Sequence, residues 1–223
     1  MYIEVNQNQL YYEKTGHGMP LLLLHGNGED HTIFDVVIPK LSQHYTVYAI
    51  DSRGHGASSP IDNYHYEDMA DDIAELLTAL KIQSPVLYGF SDGGIIGLLL
   101  AMRYPVLLSG LIISGANLNP QGMKEEFLEK VKRHFEKTNS PLERLMIEEP
   151  NILPSELKQI QIPVLVLAGE YDIIKPAHTE LIAGSIPQAQ LEILPGEDHG
   201  SYIINSDKLY PYIRDFIVKY SRK

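Results

Sequence analysis

The five residues Gly89-Phe90-Ser91-Asp92-Gly93 close an apolar run that begins at Pro85, and they open onto a second apolar stretch, Ile95 to Met102. A buried strand that turns sharply into a buried helix has no room for side chains on either side of the turn. Glycines two residues before and after Ser91 remove the atoms that would strike the neighbouring strand and helix. This pattern demands a sheet covered by helices, with the Ser91 hydroxyl exposed where one passes into the other. It also sets the serine at a helix start, where unpaired N–H groups and the helix dipole face a reacting centre. The competing reading is a glycine-rich turn with an incidental serine. The strand before it and the helix after it favour a nucleophile.

The rest of the chain agrees with such a sheet. Short apolar runs bounded by Gly, Pro or Asp recur at Leu21–His25, Thr46–Ile50, Pro85–Phe90, Leu108–Ser114, Pro163–Gly169 and Leu191–Leu194. Runs of this kind are expected of parallel strands buried on both faces. Tyr2 to Val5 and Gln9 to Tyr12 flank Asn6-Gln7-Asn8 and read as a hairpin leading into the sheet. Between the runs lie helical spacings. Met69, Ile73, Leu76, Leu77 and Leu80 form one apolar stripe, behind an N-terminal end rich in Glu67, Asp68, Asp71 and Asp72. Further helices are expected over Thr32–Ser42, Asp92–Tyr104, Pro176–Ile186 and Lys208–Tyr220. The alternation predicts an α/β fold with right-handed crossovers.

One interval breaks it. From Asn117 to Ile160 no buried strand is legible, and Met123, Phe127, Val131 and Phe135 fall four residues apart. Residues 117–160 therefore read as a short helical insertion between core segments 1–116 and 161–223, divided by Pro141, Pro150 and Pro154. Two readings stand: a helical connection packed on the core, or a lid over a pocket. Core packing is the expected role for most of Phe90, Met123, Phe127 and Met146, with pocket lining the alternative.

A serine hydroxyl needs a base, and the base needs an orienting group. The run Pro163 to Gly169 ends in Glu170-Tyr171-Asp172, and the run Leu191 to Leu194 is followed by Pro195-Gly196-Glu197-Asp198-His199. Ser91, Asp172 and His199 thus appear in the order serine, acid, histidine. Asp198 adjoins His199 and is poorly placed to reach the far ring nitrogen. Glu170 competes if its strand ends earlier, and Asn117 is not a carboxylate. Small residues in His25-Gly26-Asn27-Gly28 let the backbone approach a substrate, so the N–H groups of Asn27 and Asp92 are candidates for an oxyanion hole. His25 itself is expected to bond within its loop.

Other classes of function find little support. The segment Asp51 to Ser58 contains Gly54-His55-Gly56 but lacks the third glycine of a dinucleotide fingerprint, and a structural turn tied by Asp51 and Arg53 is expected. The nine histidines include no His-Glu-x-x-His, so no zinc site is expected, and neither is any other cofactor. No cysteine is present, which excludes a cysteine nucleophile and thiolate metal sites and fits a reducing compartment. A net charge of -11 disfavours nucleic acid and anionic membranes, although such a charge also simply keeps proteins dispersed. The first residues lack a signal-peptide pattern, and a cytoplasmic location is expected.

Five blocks in this order resemble the α/β-hydrolase fold family, in its branch of small lid-bearing esterases and carbon–carbon bond hydrolases. They are His25-Gly26-Asn27-Gly28, Asp51 to Ser58, Gly89 to Gly94, Gly169 to Asp172, and Gly196 to His199. The resemblance implies a mostly parallel eight-stranded sheet flanked by helices, a Ser91-Asp172-His199 triad and an oxyanion hole at Asn27 and Asp92. A serine nucleophile departs from the aspartate-using dehalogenases and epoxide hydrolases of the family. The first loop departs from the His-Gly-Gly-Pro-Gly of proline iminopeptidases. The expected function is hydrolysis of an ester or related acyl compound of a small molecule. Cleavage of a carbon–carbon bond in a β-diketone-like compound is the rival within enzymes, and a small-molecule sensor the rival outside them.

Overall fold

Leu21, Leu22, Leu23 and Leu24 are completely buried, and they divide between two apolar clusters: Leu21 and Leu23 join one, Leu22 and Leu24 the other. Successive side chains of a strand point to opposite faces, so an unbroken apolar run belongs where both faces are covered. The computed structural model, which describes residues 1–220, places this run at the middle of an eight-stranded sheet. The strands are β1 (Tyr2–Val5), β2 (Asn8–Gly16), β3 (Met19–Leu24), β4 (Tyr45–Ile50), β5 (Val86–Phe90), β6 (Gly110–Ser114), β7 (Val164–Tyr171) and β8 (Ala189–Asp198). Their spatial order is β1-β2-β4-β3-β5-β6-β7-β8. β2 pairs antiparallel with β1 and β4, and every later pairing is parallel.

Helices cover both faces. α1 (Ile38–Leu41) and α7 (Tyr210–Tyr220) pack on the face of Leu21 and Leu23, while α2 (Tyr66–Ala79), α3 (Asp92–Arg103) and α6 (Pro176–Ser185) pack on the other. The α2 stripe is buried as its spacing predicts, at Met69, Ile73, Leu76 and Leu77. Of its acidic residues, Glu67 and Asp68 occupy the first turn, but Asp72 is buried and takes a bidentate ion pair from Arg53. Between Asn117 and Ile160 the described residues add no strand to the sheet. They form α4 (Glu125–Thr138), α5 (Pro141–Glu148) and two short 3-10 turns.

Three expectations need correction. No single helix runs over Thr32–Ser42. A 3-10 turn at His31–Phe34, capped by the Asp30 carboxylate on the Thr32 N–H, is followed by the separate α1. Pro39, which has no N–H to give, sits at the beginning of α1, where a helix tolerates it. β2 continues past Tyr12 to Gly16, because its second half pairs with β4 after its first half has paired with β1. β8 runs through Pro195 and Gly196 to Asp198 instead of ending at Leu194. It is an edge strand, where a proline removes no needed ladder bond.

The parallel strands end along one side of the sheet. β3, β5, β7 and β8 deliver the loop His25 to Gly28, Ser91, Asp172 and His199 directly after their last residues. The carboxyl edge of such a sheet is where ligand sites gather.

Candidate active site

Ser91 joins β5 to α3 with φ 52° and ψ -113°, a left-handed backbone that a non-glycine residue adopts only under constraint. Its N–H donates to Ser114 O at 2.7 Å, and its carbonyl accepts from the Gly94 and Ile95 N–H groups. The flanking glycines answer to contact. A Cβ on Gly89 would lie 2.1 Å from Gly93 O, and one on Gly93 would lie 2.4 Å from Leu24 O. Both obstacles are backbone, so relief requires β3 or the turn to move. Gly93→Ala should cost about 2 kcal/mol of stability, as overpacking does, and misplace the serine. Urea melts and ester turnover measured on the same preparation check this; a variant unchanged in both contradicts it.

His199 Nε2 lies 3.2 Å from Ser91 Oγ, and His199 Nδ1 lies 2.7 Å from Asp172 Oδ1. The same Asp172 oxygen accepts the Ile174 N–H at 2.9 Å, and the Asp172 side chain is almost wholly buried. The ring of Phe90 rests against that of His199, with centroids 4.9 Å apart. The rival carboxylates are occupied elsewhere. Asp198 accepts the N–H groups of Gly200 and Ser201, bonds that hold its pKa below the ordinary value. Glu170 accepts Gly196 N–H at 2.8 Å.

The N–H groups of Asn27 and Asp92 have no protein acceptor among the described residues, and both residues border the cavity beside Ser91. Their side chains are tied together. Asn27 Nδ2 donates to Asp92 Oδ2 at 2.9 Å and reaches Leu142 O of α5 at 3.3 Å, while the Tyr66 hydroxyl donates to Asp92 Oδ1 at 2.7 Å. Burial pushes the Asp92 carboxyl above its ordinary pKa, against the pull of these two donors. His25 lies within its loop as expected: Nε2 accepts Ser52 N–H at 3.0 Å, and Nδ1 faces Gly26 O at 2.8 Å.

The cavity holds about 280 Å³, near the small end of ligand pockets. Phe90, Met123, Phe127 and Met146 all border it, so pocket lining, not core packing alone, is their position. Glu29, Tyr66 and Glu149 border it too, and no local sequence pattern points to them. Glu29 accepts Gly26 N–H at 2.9 Å, and desolvation raises its pKa. Glu149, at the end of α5, accepts Tyr66 N–H and pairs with His65 Nδ1, which fastens the insertion to the beginning of α2. Asp30, His31 and Asp51 gather with possible metal-ligand spacing. The Asp51 carboxylate there is already spanned by His31 N–H and Ala57 N–H at 2.8 and 2.9 Å.

A mostly parallel sheet of this strand order, with a strained serine between strand and helix, defines a class of hydrolytic enzymes. Residues 19–145 match the family profile described as alpha/beta hydrolase fold, and the chain belongs to that family. It is a hydrolase. It is 30% identical to the human serine hydrolase BPHL, over 96% of this chain and 85% of that protein. A solved thermophilic esterase from Thermogutta terrifontis is 26% identical with TM-score 0.79, covering 95% of this chain and 94% of that one. A meta-cleavage product hydrolase from Pseudomonas fluorescens superposes with TM-score 0.83 over 98% of this chain and 97% of its own. At 19% identity that last likeness is one of fold. Among the described residues no helix is long and apolar enough to cross a membrane.

Proposed function

We propose that the chain hydrolyses a carboxylic ester, or a related acyl compound, of a small molecule through Ser91, His199 and Asp172. The observation that carries this reading is the unbroken line from Ser91 Oγ to His199 Nε2, 3.2 Å, and from His199 Nδ1 to Asp172 Oδ1, 2.7 Å. His199 Nε2 accepts the proton as Ser91 Oγ attacks the carbonyl carbon. Asp172 holds the Nδ1–H tautomer and stabilises the imidazolium that forms. The first contact is slightly long for a hydrogen bond between such groups, as resting sites often are before substrate tightens them. The negative oxygen of the tetrahedral intermediate is taken by the N–H groups of Asn27 and Asp92, each donor contributing about 3 kcal/mol in sites of this kind. His199 then protonates the leaving alcohol. In the second half it activates the water that releases the acid and restores Ser91.

The likeness to a human serine hydrolase and to a thermophilic esterase supports the same reading. The test is turnover of short p-nitrophenyl esters together with labelling by a fluorophosphonate probe. Expected are measurable hydrolysis and a single label on Ser91. Neither turnover nor label across several acyl lengths overturns the reading. Faster cleavage of β-diketones than of any ester replaces it with carbon–carbon bond hydrolysis.

A further inference from the structure

Phe127 borders two hollows. One is the cavity at Ser91, and the other is a groove of about 420 Å³ along α4, closed on one side by Glu143 of α5. The groove is lined by residues one helical face apart, Phe127, Lys130, Val131, His134 and Lys137, with Arg133 beside them. Its floor is apolar, from Phe127 and Val131, and its rim is cationic.

The rim carries the Glu143 carboxylate beside three basic side chains, Lys130, Arg133 and Lys137. Lys132 pairs with Glu129, and Glu143 is engaged by His134 and by the Thr138 hydroxyl at 2.7 Å. Lys130, Arg133 and Lys137 make no ion pair among the described residues. Three unpaired cations along one groove oppose a chain whose net charge is -11. The cavity on the other side of Phe127 has the opposite character, with Glu29, Asp92 and Glu149 at its wall and no lysine or arginine. An anion is therefore disfavoured beside Ser91 and favoured beyond Phe127. At 1.5 Å rise per residue, Lys130 stands about 4.5 Å along the helix from Phe127 and Lys137 about 15 Å.

We propose that the α4 groove receives the far end of the acyl group, past Phe127, and that this end carries a carboxylate held by Lys130, Arg133 and Lys137. The preferred substrates would then be monoesters of dicarboxylic acids with an apolar chain between the two ends. The methylenes lie on Phe127 and Val131, and the free carboxylate reaches the rim. This rests on the reading of Ser91 as the nucleophile of an esterase.

The experiment compares kcat/KM for two series of p-nitrophenyl esters of graded length, one with a methyl end and one with a carboxylate end. Wild type should prefer the carboxylate series by about tenfold at the best length, the reach of a few exposed ion pairs acting together. That preference should shrink in about 0.5 M salt, where exposed charges are screened. In Lys130→Gln/Arg133→Gln/Lys137→Gln the ratio of the two series should fall to about one. Phe127→Ala should shift the best length in both series. No preference for carboxylate esters at any length, or a preference indifferent to salt and to the triple variant, overturns the proposal. A neutral fluorophosphonate separates the two failures. Labelling of Ser91 without carboxylate preference sinks only the groove, whereas absence of labelling and turnover sinks the esterase reading beneath it.

Discussion

Ser91→Ala is expected to lower kcat for ester hydrolysis by about 10⁶, His199→Ala by a similar factor, and the double variant by no more than either alone. In the proposed reaction nucleophile and base act as one unit. Once the hydroxyl is gone, the imidazole at 3.2 Å has no proton to take, and once the imidazole is gone the hydroxyl stays at its unreactive pKa. Asp172→Asn should fall by about 10⁴ with the fold retained. Asp172 Oδ1 accepts both the Ile174 N–H and the His199 Nδ1–H, while Oδ2 is buried without a partner. An asparagine that turns its oxygen to these two donors buries an unsatisfied NH₂ in place of Oδ2. One that turns its NH₂ to His199 imposes the wrong tautomer. Either way the proton on Nδ1 is lost or the carboxylate charge is. Steady-state kinetics with matched thermal melts decide the matter. Near wild-type turnover in Asp172→Asn would move the orienting role elsewhere, and strictly multiplicative losses at Ser91 and His199 would argue against a shared step.

The positions of these residues were legible because each follows a buried strand, and buried strands announce themselves as short apolar runs. Leu21 to Leu24, Val86 to Phe90 and Val164 to Ala168 are apolar at every position for the plain reason that both faces are covered. A serine, an aspartate and a histidine just past three such runs fall on one edge of the sheet whatever the details of the loops. The residues that escaped are those whose roles depend on distant partners. Tyr66 meets Asp92 across 26 positions, and Glu149 meets Tyr66 across 83. Nothing local distinguishes Tyr66 from the other tyrosines or Glu149 from Glu143 and Glu148 of the neighbouring α5. The same holds for the cavity wall. Met123 and Phe127 share a four-residue spacing that a core helix would produce equally well, but only Phe127 lies on α4, with Met123 in extended backbone just before it, and both turn toward the pocket. Two of the misread boundaries sit at prolines: Pro39 opens a second, separate helix inside Thr32–Ser42, and Pro195 lies on an edge strand that continues through it.

His25 gives the loop beside Ser91 a dependence on acid. Burial, and secondarily the nearby His55, push its pKa down to about 4 from an ordinary value of 6.5. The neutral ring suits its contacts, because Nε2 must accept Ser52 N–H while Nδ1–H donates to Gly26 O. Protonation would put a second N–H against the Ser52 amide and a charge in a buried site. Between about pH 6.5 and pH 4 the unfolded chain therefore binds a proton at this residue that the folded chain refuses, and stability falls as pH falls through that window. Above it the contribution is constant. A gap of about two and a half units is worth about 3 kcal/mol over the whole window. His25→Gln keeps an acceptor toward Ser52 and carries no titrating group. Urea unfolding at about pH 7 and about pH 4.5 should show wild type losing more stability on acidification than the variant, by about 2 to 3 kcal/mol. Carboxylates that titrate in the same range act on both proteins and cancel in the comparison. Because the ring spans Ser52 and Gly26, the residue before Asn27, the folded chain should feel protonation at this loop only as pH falls through about 4, below most of that window. Equal acid sensitivity in the two proteins would show that His25 is not the group that titrates.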